Sequence, residues 1–364
     1  MSVSRKKLNK NLSIFFRDAV RVAIGNPRQA LSFTRTLFWL AKAARIRARI
    51  KHEGVDVPPI IIFSITNQCN LNCQGCYNQS FHHRDGAELS DNHLQRIVQE
   101  ANTLGVSFFV IAGGEPFMRP VFVDIMKKYP QMIFLVFTNG LLIDETLLET
   151  FCRHSNIVPL ISLEGTDGDT DRRRGKGTAE HLTSVMRTMK SHNQFFGNSL
   201  TLTRQNFSTI MDELYIRNLV ENGCKFFLFL EYTPIAEGTK DWVLTDDQRI
   251  EMIKLLNRYR STYPALFIGV PWDEDDVGGC LSAGRGFIHI NAAGDVEPCP
   301  FAPFSDVNLR DTSLKIALKS SFLKAIRDVP ELAKENGEGC ILWKERERVK
   351  ALLETASATE SGMV

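Results

Sequence analysis

The stretch Ile60-Ile61-Ile62-Phe63-Ser64-Ile65-Thr66-Asn67-Gln68-Cys69-Asn70-Leu71-Asn72-Cys73-Gln74-Gly75-Cys76-Tyr77 joins an apolar run of strand length to a polar loop holding three cysteines. Three thiolates on one short loop can ligate three irons of an iron–sulfur cube and leave the fourth iron open. The competing reading is zinc. A structural zinc site closes four ligands, however, and no His or Cys follows at a spacing that completes the set. The adjacent His82 and His83 read as solvated loop residues.

Working outward, apolar runs at 107–112, 132–138, 157–163, 199–203 and 225–231 alternate with helical stretches near 91–104, 120–129, 144–153, 178–192 and 206–222. That alternation is the pattern of repeated βα units on a parallel sheet. Six strands are too few for the eight-stranded closed barrel, so the expected fold is α/β, a partial (β/α)6 TIM-like barrel. Active sites in such folds gather at the C-terminal ends of the strands. Gly113-Gly114-Glu115-Pro116, Thr138-Asn139-Gly140, Ser162-Leu163-Glu164-Gly165 and Glu231-Tyr232 all fall at such ends. Arg172-Arg173-Arg174-Gly175 reads most simply as a solvated basic loop, and Cys152 and Cys224 as buried small apolar residues.

The rest of the chain bounds the function. Hydrophobic residues make up 43% of the 364 and charged residues 24%, which excludes global disorder, collagen-like structure and a multi-span membrane protein. Eight cysteines are too few for a disulfide scaffold, and no secretory signal is recognised, so a reducing, cytoplasmic setting is expected. A net charge of +2 gives no whole-protein case for nucleic acid. The charge is unevenly placed: residues 1–51 hold thirteen Lys or Arg against one acid, Asp18, while the body is acidic. This arm reads as two helices divided by Gly25-Asn26-Pro27, with Leu12, Phe15, Phe16, Leu37, Phe38 and Trp39 on apolar stripes. It is expected either to pack on the acidic body or to touch an anionic membrane peripherally, which would suit a lipid substrate. The expected division is 1–56 arm, 57–235 barrel, 236–272 connection, 273–355 small C-terminal domain and 356–364 polar tail.

From Ile60 to Tyr232 the chain resembles the radical S-adenosylmethionine superfamily, whose mark is Cys-x3-Cys-x2-Cys after the first strand of a partial barrel. The resemblance implies a [4Fe–4S] cluster on Cys69, Cys73 and Cys76, with S-adenosylmethionine on its open iron. It further implies that Gly113, Gly114, Glu115 and Pro116 meet the methionine ammonium. Tyr77, Thr138, Asn139, Ser162 and Glu164 would then contact the cofactor, and Arg174 the methionine carboxylate or an acidic substrate. Gly75 departs from the pattern, since many members carry an aromatic residue there. Farther on, Cys280-Leu-Ser-Ala-Gly and Gly294-Asp-Val-Glu-Pro-Cys299 flank an expected hairpin at 286–298 and resemble the SPASM or twitch extension. That likeness implies a second, auxiliary [4Fe–4S] cluster on Cys280, Cys299 and Cys340, its fourth site open or held by a non-cysteine group.

The implied activity is an oxidoreductase-type radical enzyme that forms a 5′-deoxyadenosyl radical and takes a hydrogen atom from its substrate, fed by a reductant such as ferredoxin or flavodoxin. The substrate, whether small molecule, peptide or lipid, is not selected by these residues. Peptide maturases of this kind usually carry an N-terminal winged-helix domain, which the arm does not resemble, and that tilts the expectation away from peptides. A non-catalytic iron–sulfur electron carrier or scaffold would need only the cysteines, so the intact Gly-Gly-Glu-Pro speaks against it.

Overall fold

The computed structural model describes residues 27–81, 87–274, 278–334 and 339–361. The first expected arm helix, His82, His83, Asp275 and Asp276 lie outside them. In order come α1 (Pro27–Lys51), β1 (Ile60–Thr66), α2 (Asp91–Leu104), β2 (Phe108–Gly113), α3 (Val121–Lys127), β3 (Ile133–Thr138), α4 (Glu145–Arg153) and β4 (Ile157–Leu163). Then follow α5 (Asp167–Arg174), α6 (Thr178–Ser191), β5 (Gly197–Leu202), α7 (Glu213–Glu221), β6 (Phe226–Glu231), α8 (Asp246–Thr262) and β7 (Leu266–Val270). The chain closes with β8 (Phe287–Ile290), β9 (Val296–Glu297), α9 (Ser321–Arg327) and α10 (Arg346–Ser361).

The strands form one sheet in the order β7-β6-β5-β4-β3-β2-β1-β8-β9. All neighbours run parallel except β8 and β9. The six expected strands are present in the expected sequence, and one further parallel strand joins at each end. β7 extends β6, with Phe226 opposite Leu266. β8 pairs β1, with Ile60 opposite Phe287, so the expected hairpin is built onto the barrel sheet itself.

Because a parallel sheet is covered on both faces, its strands read as near-continuous apolar runs with two destinations for alternate side chains. Ile61, Phe63, Ile65, Phe109, Ile111, Phe134 and Val136 join the large core under the helices. Val158, Leu160, Phe226 and Leu228, with Leu135 and Ile268, fill the inner, concave side. Aromatic rings stack across strands, Phe109 on Phe134 at 5.6 Å and Phe227 on Phe267 at 4.7 Å.

Helix ends follow their local chemistry. Asp144 accepts from the Leu147 N–H to start α4, Thr245 and Gln248 form a reciprocal cap on α8, and Gly105 takes the left-handed φ of +84° that stops α2. Three segments differ from the sequence expectation. Residues 206–222 hold a single turn, Phe207–Ile210, and then α7, because Asp212 caps a fresh start. Arg172 to Arg174 lie on α5 and not in a loop. The expected polar tail continues α10 as far as Ser361.

The arm helix α1 crosses the N-terminal ends of the strands. Arg47 Nη1 donates to the Gly105 carbonyl and, at 2.8 Å, to Ser107 Oγ in the turn that feeds β2. Ser32 and Ser155 hydroxyls meet at 2.7 Å beside the turn that feeds β4. Ile46 and Ile50 seal this contact.

Candidate functional site

At the opposite end, the loop after β1 carries Cys69, Cys73 and Cys76 at the C-terminal mouth of the sheet. Its base is pinned by Glu88, which accepts from the Asn67 N–H at 2.7 Å and from Thr66 Oγ1 at 2.9 Å. The three thiols lie within electrostatic reach of one another. Burial pushes Cys69 and Cys73 above the usual thiol value, and Arg174 and Arg173 pull Cys73 back. Open cavities of about 400 Å³ and about 330 Å³ flank the loop, lined between them by all three cysteines together with Asn67, Asn72 and Gln79.

The glycines of the Gly-Gly-Glu-Pro turn make close backbone contacts within the protein. A Cβ at Gly113 would stand 2.3 Å from the Thr66 carbonyl oxygen, and one at Gly114 1.9 Å from that of Gln68. Backbone here approaches backbone, with Gly114 N–H on Thr66 O and Glu115 N–H on Gln68 O, both at 2.8 Å. The turn therefore clamps the root of the cysteine loop. Glu115 is buried and accepts from the Asn139 N–H at 2.7 Å on one oxygen, and from Thr138 Oγ1 at 2.8 Å and the Phe117 N–H at 3.2 Å on the other. Burial raises its pKa against those bonds, and the first oxygen keeps acceptor capacity for a further donor.

Thr138 also accepts from the Gly140 N–H at 2.9 Å, so its hydroxyl is used inside the protein. Asn139 Nδ2 donates to Asn70 Oδ1 at 2.7 Å and stands 3.9 Å from Cys69 Sγ. Ser162, between Ile161 and Leu163 of the helix-side core, points to the concave face and is half-buried.

Glu164 and Arg174, read from the sequence as separate cofactor contacts, bind each other. Arg174 donates from Nε at 2.9 Å and Nη2 at 2.5 Å, and Arg173 takes the second carboxylate oxygen. Arg173 also donates to the Gln74 carbonyl of the cysteine loop at 3.1 Å. Burial opposes its charge, but Glu164 outweighs this and raises its pKa. Sequence reasoning passed over Arg173. The signal that could have found it is Thr166-x-x-Asp169, a capping box that starts α5 and turns consecutive arginines to one partner.

Tyr77 turns away from the flanking cavities. Its hydroxyl bonds Ser64 and the Gly113 backbone, and its ring meets Phe301 edge-on at 5.8 Å. From Ser64 the polar contacts continue. Ser64 Oγ lies 2.8 Å from His289 Nε2, His289 Nδ1 donates to Glu297 Oε2 at 2.7 Å, and Glu297 Oε1 accepts from Asn291 at 2.9 Å. Ser64, His289 and Glu297 are all buried. Glu297, in this chain of contacts, stands two residues before Cys299.

The second cysteine set is assembled from distant sequence. Cys299 and Cys340 share a side-chain hydrogen bond, Cys280 lies close enough to act on both, and all three are buried or half-buried. Ala283 N–H donates to the Pro298 carbonyl at 3.0 Å, which closes the two strands of this loop region together. Cys224 is buried before β6 as expected, whereas Cys152, expected to be buried, is exposed on the outer face of α4. Between the two sets stand Glu231, whose Oε1 takes Arg249 Nε at 2.9 Å and Nη2 at 2.7 Å, and Tyr232, packed on Trp242 at 5.3 Å. Both aromatic rings cover Gly75, where a Cβ would lie 2.8 Å from each. The missing aromatic side chain at Gly75 is thus matched by two aromatics from the segment after β6.

An iron–sulfur cluster fits the loop trio. Its thiols are mutually close, and cationic side chains adjoin them. An α/β sheet with clustered thiols at its C-terminal mouth is the architecture of the radical S-adenosylmethionine enzymes. Residues 63–214 match the Radical SAM superfamily, so this part of the chain is a radical SAM domain.

Among curated proteins it is 23% identical over 305 residues to the AdoMet-dependent heme synthase of Methanosarcina barkeri, covering 76% of this chain and 87% of that protein. It is 27% identical over 264 residues to the mycofactocin maturase MftC of Mycobacterium tuberculosis, covering 69% of this chain and 66% of the maturase. Among solved structures, SuiB of Streptococcus suis bound to the precursor peptide SuiA superposes with a TM-score of 0.62 at 18% identity, over 76% of this chain and 68% of SuiB. The anSMEcpe structure with bound AdoMet and the Cp18Cys peptide gives 0.58 at 15%, over 82% of this chain and 99% of that one. The structural likenesses establish the fold. The chain is a radical S-adenosylmethionine enzyme whose substrate the comparisons leave unspecified.

Proposed function

We propose that Cys69, Cys73 and Cys76 hold the cluster that binds S-adenosylmethionine, that Cys280, Cys299 and Cys340 hold an auxiliary cluster, and that substrate enters between them. The observation that carries this reading is that two cysteine trios are linked through one run of contacts, from Tyr77 beside Cys76 through Ser64 and His289 to Glu297, two residues before Cys299. When bound, the first cluster and S-adenosylmethionine supply the electron transfer and bond cleavage that yield the 5′-deoxyadenosyl radical. The protein's part is placement. Glu115 offers its remaining acceptor capacity to a cationic ammonium, Asn139 and Ser162 present polar groups to the sugar, and Arg173 fixes the loop at Gln74.

A low-potential carrier such as ferredoxin or flavodoxin would be the electron donor. The curated relatives are named as heme synthase, mycofactocin maturase and GTP cyclase, so what they have in common is the radical chemistry and not a substrate.

The test is anaerobic reconstitution with iron and sulfide, followed by dithionite and S-adenosylmethionine. About seven or eight irons per chain and formation of 5′-deoxyadenosine are expected. Changing Cys69, Cys73 and Cys76 together to Ala should remove about half the iron and all cleavage. Changing Cys280 and Cys299 to Ala should leave about four irons and retain binding of S-adenosylmethionine. An iron content unaltered by the second change would dismiss the auxiliary cluster.

A further inference from the structure

We infer that α1 is a docking surface for an anionic lipid layer and that docking turns the radical site away from the bilayer. The docking stands apart from the cluster assignments, while the orientation of the radical site rests on the proposed function. The inner side of α1 is spent on the body, through Arg47, Ile46 and Ile50. Its outer side is one stripe at helical spacing: Leu31, Arg35, Phe38, Lys42, Arg45 and Arg49, all exposed. Leu31 is 73% and Phe38 64% exposed, unusually high for large apolar side chains.

The 25 residues of α1 contain no Asp or Glu, and the residues before it in sequence are also predominantly basic, so neither offers this stripe an opposite charge. Apolar side chains interleaved with cations on one helix face suit the boundary between acyl chains and negatively charged headgroups, where the cations meet the headgroups and Leu and Phe sink below them. Among the described residues no helix is long and apolar enough to cross a membrane, so the contact is peripheral.

Orientation follows from what α1 covers. It lies against Gly105 and Ser107 before β2 and Ser155 before β4, at the N-terminal ends of the strands. The cysteine loop sits at their C-terminal ends. A seven-residue strand such as β1 or β4 separates the two by about 20 Å. A protein lying on α1 therefore opens its cysteine mouth to water, and a substrate held flat in the same leaflet does not reach it. This reverses the expectation that a membrane-bound arm would imply a lipid substrate.

The experiment is flotation of the full-length chain with vesicles of phosphatidylcholine alone and of phosphatidylcholine mixed with phosphatidylglycerol. It is repeated with Leu31→Glu/Phe38→Glu and with Arg45→Ala/Arg49→Ala, all at exposed positions. The expected result is flotation with the anionic vesicles only, release by salt, loss in the first variant and weakening of about fivefold per cation removed in the second, the equivalent of about 1 kcal/mol each. Hydrogen exchange of the vesicle-bound protein should add protection in 31–51 and none in 67–81 or 232–242. Three results overturn the inference: no flotation at low salt, flotation indifferent to Leu31→Glu/Phe38→Glu, or new protection at 67–81. A soluble dimer dissolved by that variant, with no flotation, would assign the stripe to a second copy of the chain and overturn it as well.

Discussion

At residue scale the cysteines and the Gly-Gly-Glu-Pro turn were readable because their spacing is their meaning. What Gly114 does was not readable, because the space it leaves is taken by a carbonyl from the preceding loop and sequence records no distances. Gly114→Ala places a methyl 1.9 Å from Gln68 O and must displace the Glu115 N–H bond to that oxygen. We expect a loss of about 1–3 kcal/mol in stability and, more tellingly, poor retention of iron by the cysteine loop. Thermal unfolding beside an iron assay decides it; normal iron content would mean the clamp is dispensable. Gly75→Phe, which restores the commoner residue, should fail for a related reason. The aromatic would collide with Trp242 and Tyr232 at a φ of +67°, so binding of S-adenosylmethionine should weaken and not improve, as equilibrium binding to the reconstituted protein would report.

Among the elements, the six barrel strands were legible from apolar runs flanked by turn residues, and the hairpin from Ala293-Gly294-Asp295. α5 was not. Its sequence, Asp-Gly-Asp-Thr-Asp-Arg-Arg-Arg, has no apolar stripe, so periodicity is silent and only the cap at Thr166 announces it. The partners of β7 and β8 were equally hidden, since a strand's composition does not name its neighbour. Two predictions belong at this scale. Arg173→Ala frees the Gln74 carbonyl and leaves Glu164 with Arg174 alone, and losing such a hydrogen bond to a charged group costs about 1.5–3 kcal/mol. Arg173→Lys should recover part of the stability without the second bond. Denaturant titration of both would show whether α5 braces the loop; equal stability of wild type and Ala variant would refute it. His289→Ala takes one buried partner from Ser64, which keeps Tyr77, and one from Glu297, which keeps Asn291, at about 1–3 kcal/mol for the two bonds lost. An unchanged denaturation midpoint would show that the β1–β8 contact does not depend on it.

For the whole molecule, the sheet is one body in which the C-terminal hairpin is as much a wall of the cysteine mouth as the strands before it. β1 is bounded on one side by β2 and on the other by β8, more than two hundred residues later in the chain. A chain ending at Val270 keeps Cys69, Cys73 and Cys76 but presents β1 as a bare edge, and we expect it to aggregate and to hold little iron. Soluble, iron-loaded protein of that length would contradict the expectation. The same adjacency sets an order of events during synthesis. While the ribosome is still making residues 270–290, the strand that aims the cysteine loop has half of its backbone bonds unmade, and its neighbour has yet to leave the exit tunnel. Iron delivered at that moment would meet a loop free to swing, so loading of the first cluster should wait for the end of translation, and a cell that slows elongation through the last quarter of the message should accumulate apoprotein.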